Sequence, residues 1–311
     1  MKAKFLCNNV TDHGNNCKNV NLTAVYAGSK NEEDNQFSAA TPSGVLDNAD
    51  SMALNHQIMK LAAIYNVWDG VELLRGSMLC LKDEVDLFII VYQEKSNFHE
   101  QYNPLPDMDL SGFNHIVLHK YEPETPGGGT NERNKRNIGL DIARREGCTH
   151  FLHVDTDEYY DNFAEAKRFY TESGKEGSVC ALLTYFKLPT LRFENPDGYY
   201  VPFIHKLKPE TAAGGRNYPY YVDPTRRINT NDVALLPVFM HHMSWVRLDI
   251  ARKCRNSSAR SHIEKGTMLK DYHSEDVKSG FYVKDYQQKL VEVPDVFKIS
   301  VVMTGFEPAG D

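Results

Sequence analysis

The chain has 311 residues, 41% of them hydrophobic and 25% charged, with a formal net charge of −7. That is enough apolar material for one large α/β domain with appendages, or for two small domains, and the acidic balance leaves no basic field to steer nucleic acid. No secretory leader or bilayer-length apolar run of ~18 residues is read, and the six cysteines have no C-x-x-C spacing, so the expectation is a reduced, cytoplasmic protein without an integral membrane segment.

Residues 1–55 differ from the remainder of the chain. Segments 2–7 and 20–26 read as a strand pair around a polar turn, and 28–50 is rich in Asn, Ser, Asp and Gly, as in a linker. This part is expected to be a small β-rich appendage, an adaptor or an oligomerisation arm, without chemistry of its own. Residues 61–65 then predict a buried strand. Asp69 predicts the cap of a helix carrying Val71, Leu74, Met78 and Leu81 on one face, and 85–92 predict a second apolar strand. Strand, helix and strand make a βαβ unit, so the sheet should begin parallel.

Residues 94–114 are polar, carry Pro104 and Pro106, and predict a long irregular loop; 116–119 predict a third strand. After the glycine run 127–129, Thr130 predicts an N-cap, Ile138, Ile142 and Ala143 an apolar helix face, and Gly147 the left-handed residue that ends the helix. A short apolar strand at 151–154 closes on Asp155, Asp157 and Glu158. Carboxylates at i and i+2 on an extended chain project to one side, so Asp155 and Asp157 are expected to converge on one cation. They would do so at the strand end where an open α/β sheet binds ligands.

Further on, 162–173 predict a helix, 179–188 a strand, and 238–246 (VFMHHMSWV) a last clear strand. The chain should be helical from Arg247 and close with a strand at 298–303. The domain reading is an appendage and linker at 1–55, the main domain at 56–250, and a helical or extended C-terminal extension at 251–311 packing on it.

Four phrases occur in order: Tyr65-Asn66-x-x-Asp69-Gly70, Arg136-Asn137-x-Gly139-Leu140-x-x-Ala143, Asp155-x-Asp157-Glu158 and His242-x-Ser244-Trp245. Over about 60–250 the chain resembles GT-A type glycosyltransferases, closest to the inverting family 2, with N-acetylglucosaminyltransferase-like features in its Asp-x-Asp-Glu ending. The resemblance implies a GT-A, Rossmann-like fold: a mixed, mainly parallel central sheet flanked by helices. It also implies a nucleoside-diphosphate-sugar donor and a saccharide or other hydroxyl acceptor. Mn²⁺ or Mg²⁺ would be held by Asp155, Asp157 and His242, with His241 second. Asn66, Gln93, Glu94, Arg136, Asn137 and Asp155 would contact the donor. Gln93 and Glu94 stand where family 2 usually has an Asp holding the nucleoside, and Asn137 is also read as ordering its loop.

Chemistry gives these residues a reason to meet. When the bond from the anomeric carbon to the diphosphate stretches, charge collects on the leaving phosphate oxygens and something cationic must receive it. Hard divalent ions do this when carboxylates hold them, and an imidazole ligand shifts preference toward Mn²⁺. An inverting enzyme also needs a carboxylate to take the acceptor proton, drawn from Glu194, Asp197, Asp223 and Asp232. The catalytic set read from the sequence is Asp157, Glu194 and Asp223. One alternative reading is a sugar-phosphate nucleotidyltransferase, although Asn66-Val67-Trp68-Asp69 occupies the place of its glycine-rich loop. Another is a non-catalytic carbohydrate-binding or structural protein on the same fold.

Overall fold

The computed structural model describes residues 59–124, 128–257, 263 and 266–300. The β-rich appendage expected within 1–55 and the first glycine of the run 127–129 lie outside the described residues.

Four strands form the parallel half of an 11-stranded sheet. They are β1 (Leu61–Val67), β2 (Leu87–Tyr92), β3 (Ile116–Lys120) and β4 (His150–Asp155), in the spatial order β3-β2-β1-β4. β2 is buried at every position and β1 at all but Asn66, as a parallel strand covered on both faces must be. Alternate residues divide between two layers. Ala63, Tyr65, Phe88 and Ile90 pack against Val71, Leu74 and Met78 of α1 (Val71–Leu79). Ala62, Ile64, Ile89 and Val91 pack against Leu140, Ile142 and Ala143 of α2 (Gly128–Arg145). The helix α2 lies close on the sheet because Gly139 has no side chain; a Cβ there would come within 2.2 Å of Ile64.

Two helix starts differ from expectation. α2 begins inside the glycine run, so Thr130 is a first-turn residue and not the cap. α1 is preceded by Gly70 in the left-handed conformation (φ 73) with no side-chain cap, while the Asp69 carboxylate accepts from Arg252 Nε at 2.9 Å. The end of α2 is as expected, with Gly147 at φ 71.

The second half is mainly antiparallel. After the two-residue β5 (Glu158–Tyr159), α3 (Phe163–Ser173) is capped by Asn162, whose side chain accepts from Glu165 N at 3.1 Å, and ends at Gly174. The strand predicted at 179–188 is two: β6 (Gly177–Phe186) turns at Lys187, where φ is 66, into the antiparallel β7 (Leu188–Phe193). β8 (Tyr200–Lys206) joins β6 to β4, both antiparallel. β9 (Val233–Trp245) runs parallel to β6 and pairs with β5. α4 (Ile250–Asn256), α5 (Met268–His273) and β10 (Tyr282–Val283) follow, and β11 (Gln288–Glu292) adds to the sheet beside β7. The chain at 299–300 is helical, not the start of a strand: both amides are capped by the Asp295 carboxylate, at 3.0 and 2.8 Å. The rest of that predicted strand lies outside the described residues.

The architecture is the Rossmann-like mixed α/β sheet that the GT-A resemblance implies. Among the described residues no helix is long and apolar enough to cross a membrane. Cys80, Cys148, Cys180 and Cys254 are free thiols there.

Candidate functional site

Strand order reverses beside β1, with β2 and β3 on one flank and β4 on the other, and such a reversal opens a crevice at the carboxyl ends of the strands. There Asn66 of β1 stands level with Asp155 of β4 and Val91 of β2. A cleft of about 240 Å³ occupies this crevice. Its β1 and β2 side is built from Asn66, Trp68 and Gln93, and Lys135 and Arg136 reach in from α2. Asp155, Thr156 and Asp157 come from the end of β4, Asp223 from the loop before β9, and Arg247 and Lys253 from the chain after β9.

The carboxylates are not on one extended segment. β4 stops at Asp155, a turn carries Thr156 and Asp157, and Glu158 begins β5. Each acid meets its own cations. Arg226 is shared: its Nη2 donates to Asp155 Oδ2 and to Glu158 Oε1, and its Nη1 to Glu158 Oε2 at 3.0 Å. Arg136, 2% exposed, donates to the other Asp155 oxygen at 3.4 Å. Asp157 Oδ2 accepts from Arg247 Nη2 and from Lys253 Nζ, the latter at 3.1 Å, and lies 3.7 Å from His242 Nε2.

These contacts set the charge states. Burial alone would raise Asp155, but Arg226 and Arg136 override it and hold its pKa at about 2. Burial likewise opposes ionisation of Asp157, yet Lys253, Arg247 and His242 keep it well below the usual carboxylate range. Glu158, sharing Arg226 with Asp155, is pushed up to about 7 by burial against the pull of that guanidinium. Burial lowers His242 to about 4, so its imidazole is neutral at pH 7. Lys135, 4% exposed, falls to about 8 through burial and the neighbouring Arg136.

The expected resident cation does not fit this arrangement. A divalent ion needs carboxylate oxygens free to coordinate it. Here three carboxylates, Asp155, Asp157 and Glu158, are matched by four cations, Arg136, Arg226, Arg247 and Lys253. Among the described residues no group of three or more His, Cys, Asp or Glu is arranged to hold a metal ion. What is left unsatisfied is of a different kind. Arg136 Nη1, Arg247 Nε and Nη1, and Trp68 Nε1 are buried donors without partners, and Asn66 Oδ1 and Gln93 Oε1 are buried acceptors without partners. Buried polar atoms in a folded chain are normally paired, so a cluster of orphans around one cleft marks a place for a polar ligand.

The remaining residues singled out by the sequence separate into two groups. Asp223 lines the cleft, and its carboxylate takes the Thr225 amide at 2.8 Å, closing the turn that aims Arg226 inward. Asn137 sits behind the cleft, its side chain accepting from Ala213 N at 2.7 Å. Asp197 is one step further back, accepting from Thr184 Oγ1 at 3.0 Å, which in turn lies 3.4 Å from His242 Nδ1; burial raises Asp197 to about 6.

Glu94, Glu194, Asp232 and His241 are not among the lining residues. Glu94 is paired with Lys120 at 2.8 Å, Asp232 with Lys175 at 2.7 Å, and His241 bonds Tyr185 Oη at 2.9 Å. Glu194 is exposed at the end of β7, where its amide donates to Lys289 O at 3.0 Å. Sequence reasoning missed Arg226, Arg247, Lys253 and Lys135. The available signals were modest: an Asp-Pro turn start ahead of Arg226, and a basic run directly after the last strand.

No protein-family model matches the chain, and none of the curated proteins matches it. Among solved structures, S. aureus TarS is similar over 70% of this chain and 44% of its own, at 16% identity and a TM-score of 0.38. S. aureus TarS 1–349 in complex with UDP-GlcNAc is similar over 42% of this chain and 35% of its own, at 18% identity and a TM-score of 0.29. A mannose-1-phosphate geranyltransferase from Thermus thermophilus is similar over 48% and 51%, at 18% identity and 0.27. The chain spans less than two thirds of the length of each of these. Superpositions this partial leave the fold to be defined by the strand order and register given above.

Proposed function

We propose that the chain transfers a sugar from a nucleoside-diphosphate donor to a hydroxyl on a saccharide or other acceptor. The observation that carries this reading is the polarity of the cleft. Its β1–β2 side presents the amide oxygens of Asn66 and Gln93, suited to donors on a base or ribose, while Arg136 from α2 and Arg247 from the chain after β9 bring unpartnered donors, suited to phosphate oxygens. Asp223 lines the same cleft and is the carboxylate we assign to the acceptor.

In an inverting transfer the acceptor oxygen forms its bond to the anomeric carbon while the bond to the diphosphate breaks. The electron pair leaves on a phosphate oxygen, and the acceptor proton passes to the Asp223 carboxylate. Asp157 acts by holding Arg247 and Lys253 in place. The carboxylates expected to hold Mn²⁺ or Mg²⁺ are engaged by Arg136, Arg226, Arg247 and Lys253.

The test is a panel of uridine, guanosine and cytidine diphosphate sugars, with release of nucleoside diphosphate as the signal. Slow hydrolysis of at least one member is expected. A protein that binds none of them, or that makes pyrophosphate from a nucleoside triphosphate and a sugar 1-phosphate, would sink the transferase reading.

A further inference from the structure

We infer that the diphosphate of the donor is received by a cradle of fixed cations, Arg136, Arg247 and Lys253, in the position where a divalent ion would otherwise stand. This rests on the nucleotide-sugar reading above and deepens it.

Three observations support the cradle. The first is charge. The acids at the end of β4 are already outnumbered by the cations paired to them, and widening the circle to Asp69, Glu132 and Asp223 against Lys135 and Arg252 brings carboxylates and cations level. Such a site holds no surplus negative charge to draw in a divalent ion. The second is the surplus of hydrogen-bond donors. Arg136 and Arg247 are 2% and 9% exposed, both line the cleft, each spends its Nη2 on a carboxylate, and each keeps further buried N–H groups without a partner. An incoming phosphate oxygen is the acceptor those groups lack.

The third observation is that the site is built for Arg247. Gly70, at φ 73 between β1 and α1, lies under the guanidinium; a Cβ there would fall 1.7 Å from Arg247 Nη1 and 2.8 Å from Thr156 Oγ1. An absent side chain on one element makes room for a cation delivered from another, some 177 positions later in the chain. Held by Asp157 on one side and seated over Gly70, the guanidinium is preorganised, which is the condition under which fixed charge stabilises a leaving group. As the anomeric C–O bond breaks, the electron pair settles on the diphosphate oxygen facing these cations, and no co-reactant is required.

The experiment is calorimetric titration of UDP, GDP and inorganic pyrophosphate into the intact chain, in EDTA and again with Mn²⁺. At least one nucleoside diphosphate and pyrophosphate should bind in EDTA, with affinity within about threefold of that in Mn²⁺, and binding should weaken with added salt as the charges are screened. Lys253→Met leaves Arg247 on Asp157 and should cost roughly tenfold in pyrophosphate affinity with the circular dichroism spectrum unchanged. Binding that requires Mn²⁺ would overturn the cradle and leave the nucleotide reading standing. Binding of none of the three probes under either condition would remove both.

Discussion

The parallel half of the sheet and the antiparallel half contribute opposite things to one cleft. From β1, β2 and β4 come the amides and the acids, on strand ends whose burial leaves little freedom of placement. From the loop before β9 and the chain after it come Arg226, Arg247 and Lys253, the cations that make those acids tolerable in a buried place. Charge, not apolar contact, is what the two halves exchange at the site, so the functional chemistry depends on the join between them.

That division can be broken most directly at Arg226. Arg226→Met leaves Asp155 and Glu158 facing each other without their shared partner, and removing one member of a buried pair costs about 3–5 kcal/mol, so chemical denaturation should show a loss of that order. A variant as stable as the parent would mean that the halves do not depend on one another. Asp157→Asn keeps the shape but frees Arg247 and Lys253, and sugar transfer should fall roughly 10²–10³-fold, as when one element of a preorganised electrostatic site is removed. Comparable turnover in that variant would remove Asp157 from the mechanism.

Gly70→Ala tests whether the parallel half was shaped around a residue of the other half. It should cost about 1–2 kcal/mol from the left-handed backbone alone. It should also weaken nucleoside-diphosphate binding by displacing Arg247, an effect the backbone cost does not explain. Lys135 sharpens the comparison through pH. Its pKa is lowered to about 8 in the folded chain, so between pH 8 and its ordinary range the unfolded chain binds more protons and stability rises with pH. Over the same interval the ammonium is lost, and diphosphate binding should weaken by at most about tenfold per pH unit, opposite in sign to stability. Smallest is Asn137→Ala, which removes one hydrogen bond to the Ala213 amide and should cost about 1 kcal/mol with little change in chemistry.

The same contrast explains what was legible in the sequence. Apolar periodicity announced β1, α1, β2 and the β4 strand end, because a layer buried on both faces must be written in apolar residues. The Asp-x-Asp-Glu ending pointed to the site, but the expectation that its acids share a metal came from geometry on an extended strand, and the chain turns between them. Arg226, Arg247 and Lys253 stand 71, 90 and 96 positions away from Asp155 and Asp157, on loops and a short helix whose basic residues look like any solvated surface. Nothing local distinguishes Arg247 from Arg255, which pairs with Glu100 and is exposed. Gln93 and Glu94 show the limit at finer scale. They are adjacent in sequence, but only Gln93 faces the cleft, while Glu94 turns to Lys120 on the neighbouring strand.

The guanidinium of Arg226, spanning the tip of β4 and the start of β5, bears on biogenesis. A polypeptide cut directly ahead of it would retain the apolar layers over β1 and β2, yet would leave Asp157 and Glu158 without their counter-charges and Asp155 with Arg136 alone. The first half is therefore no free-standing module, and while the chain is still being made its ligand-binding edge must stay open to water until the later residues arrive.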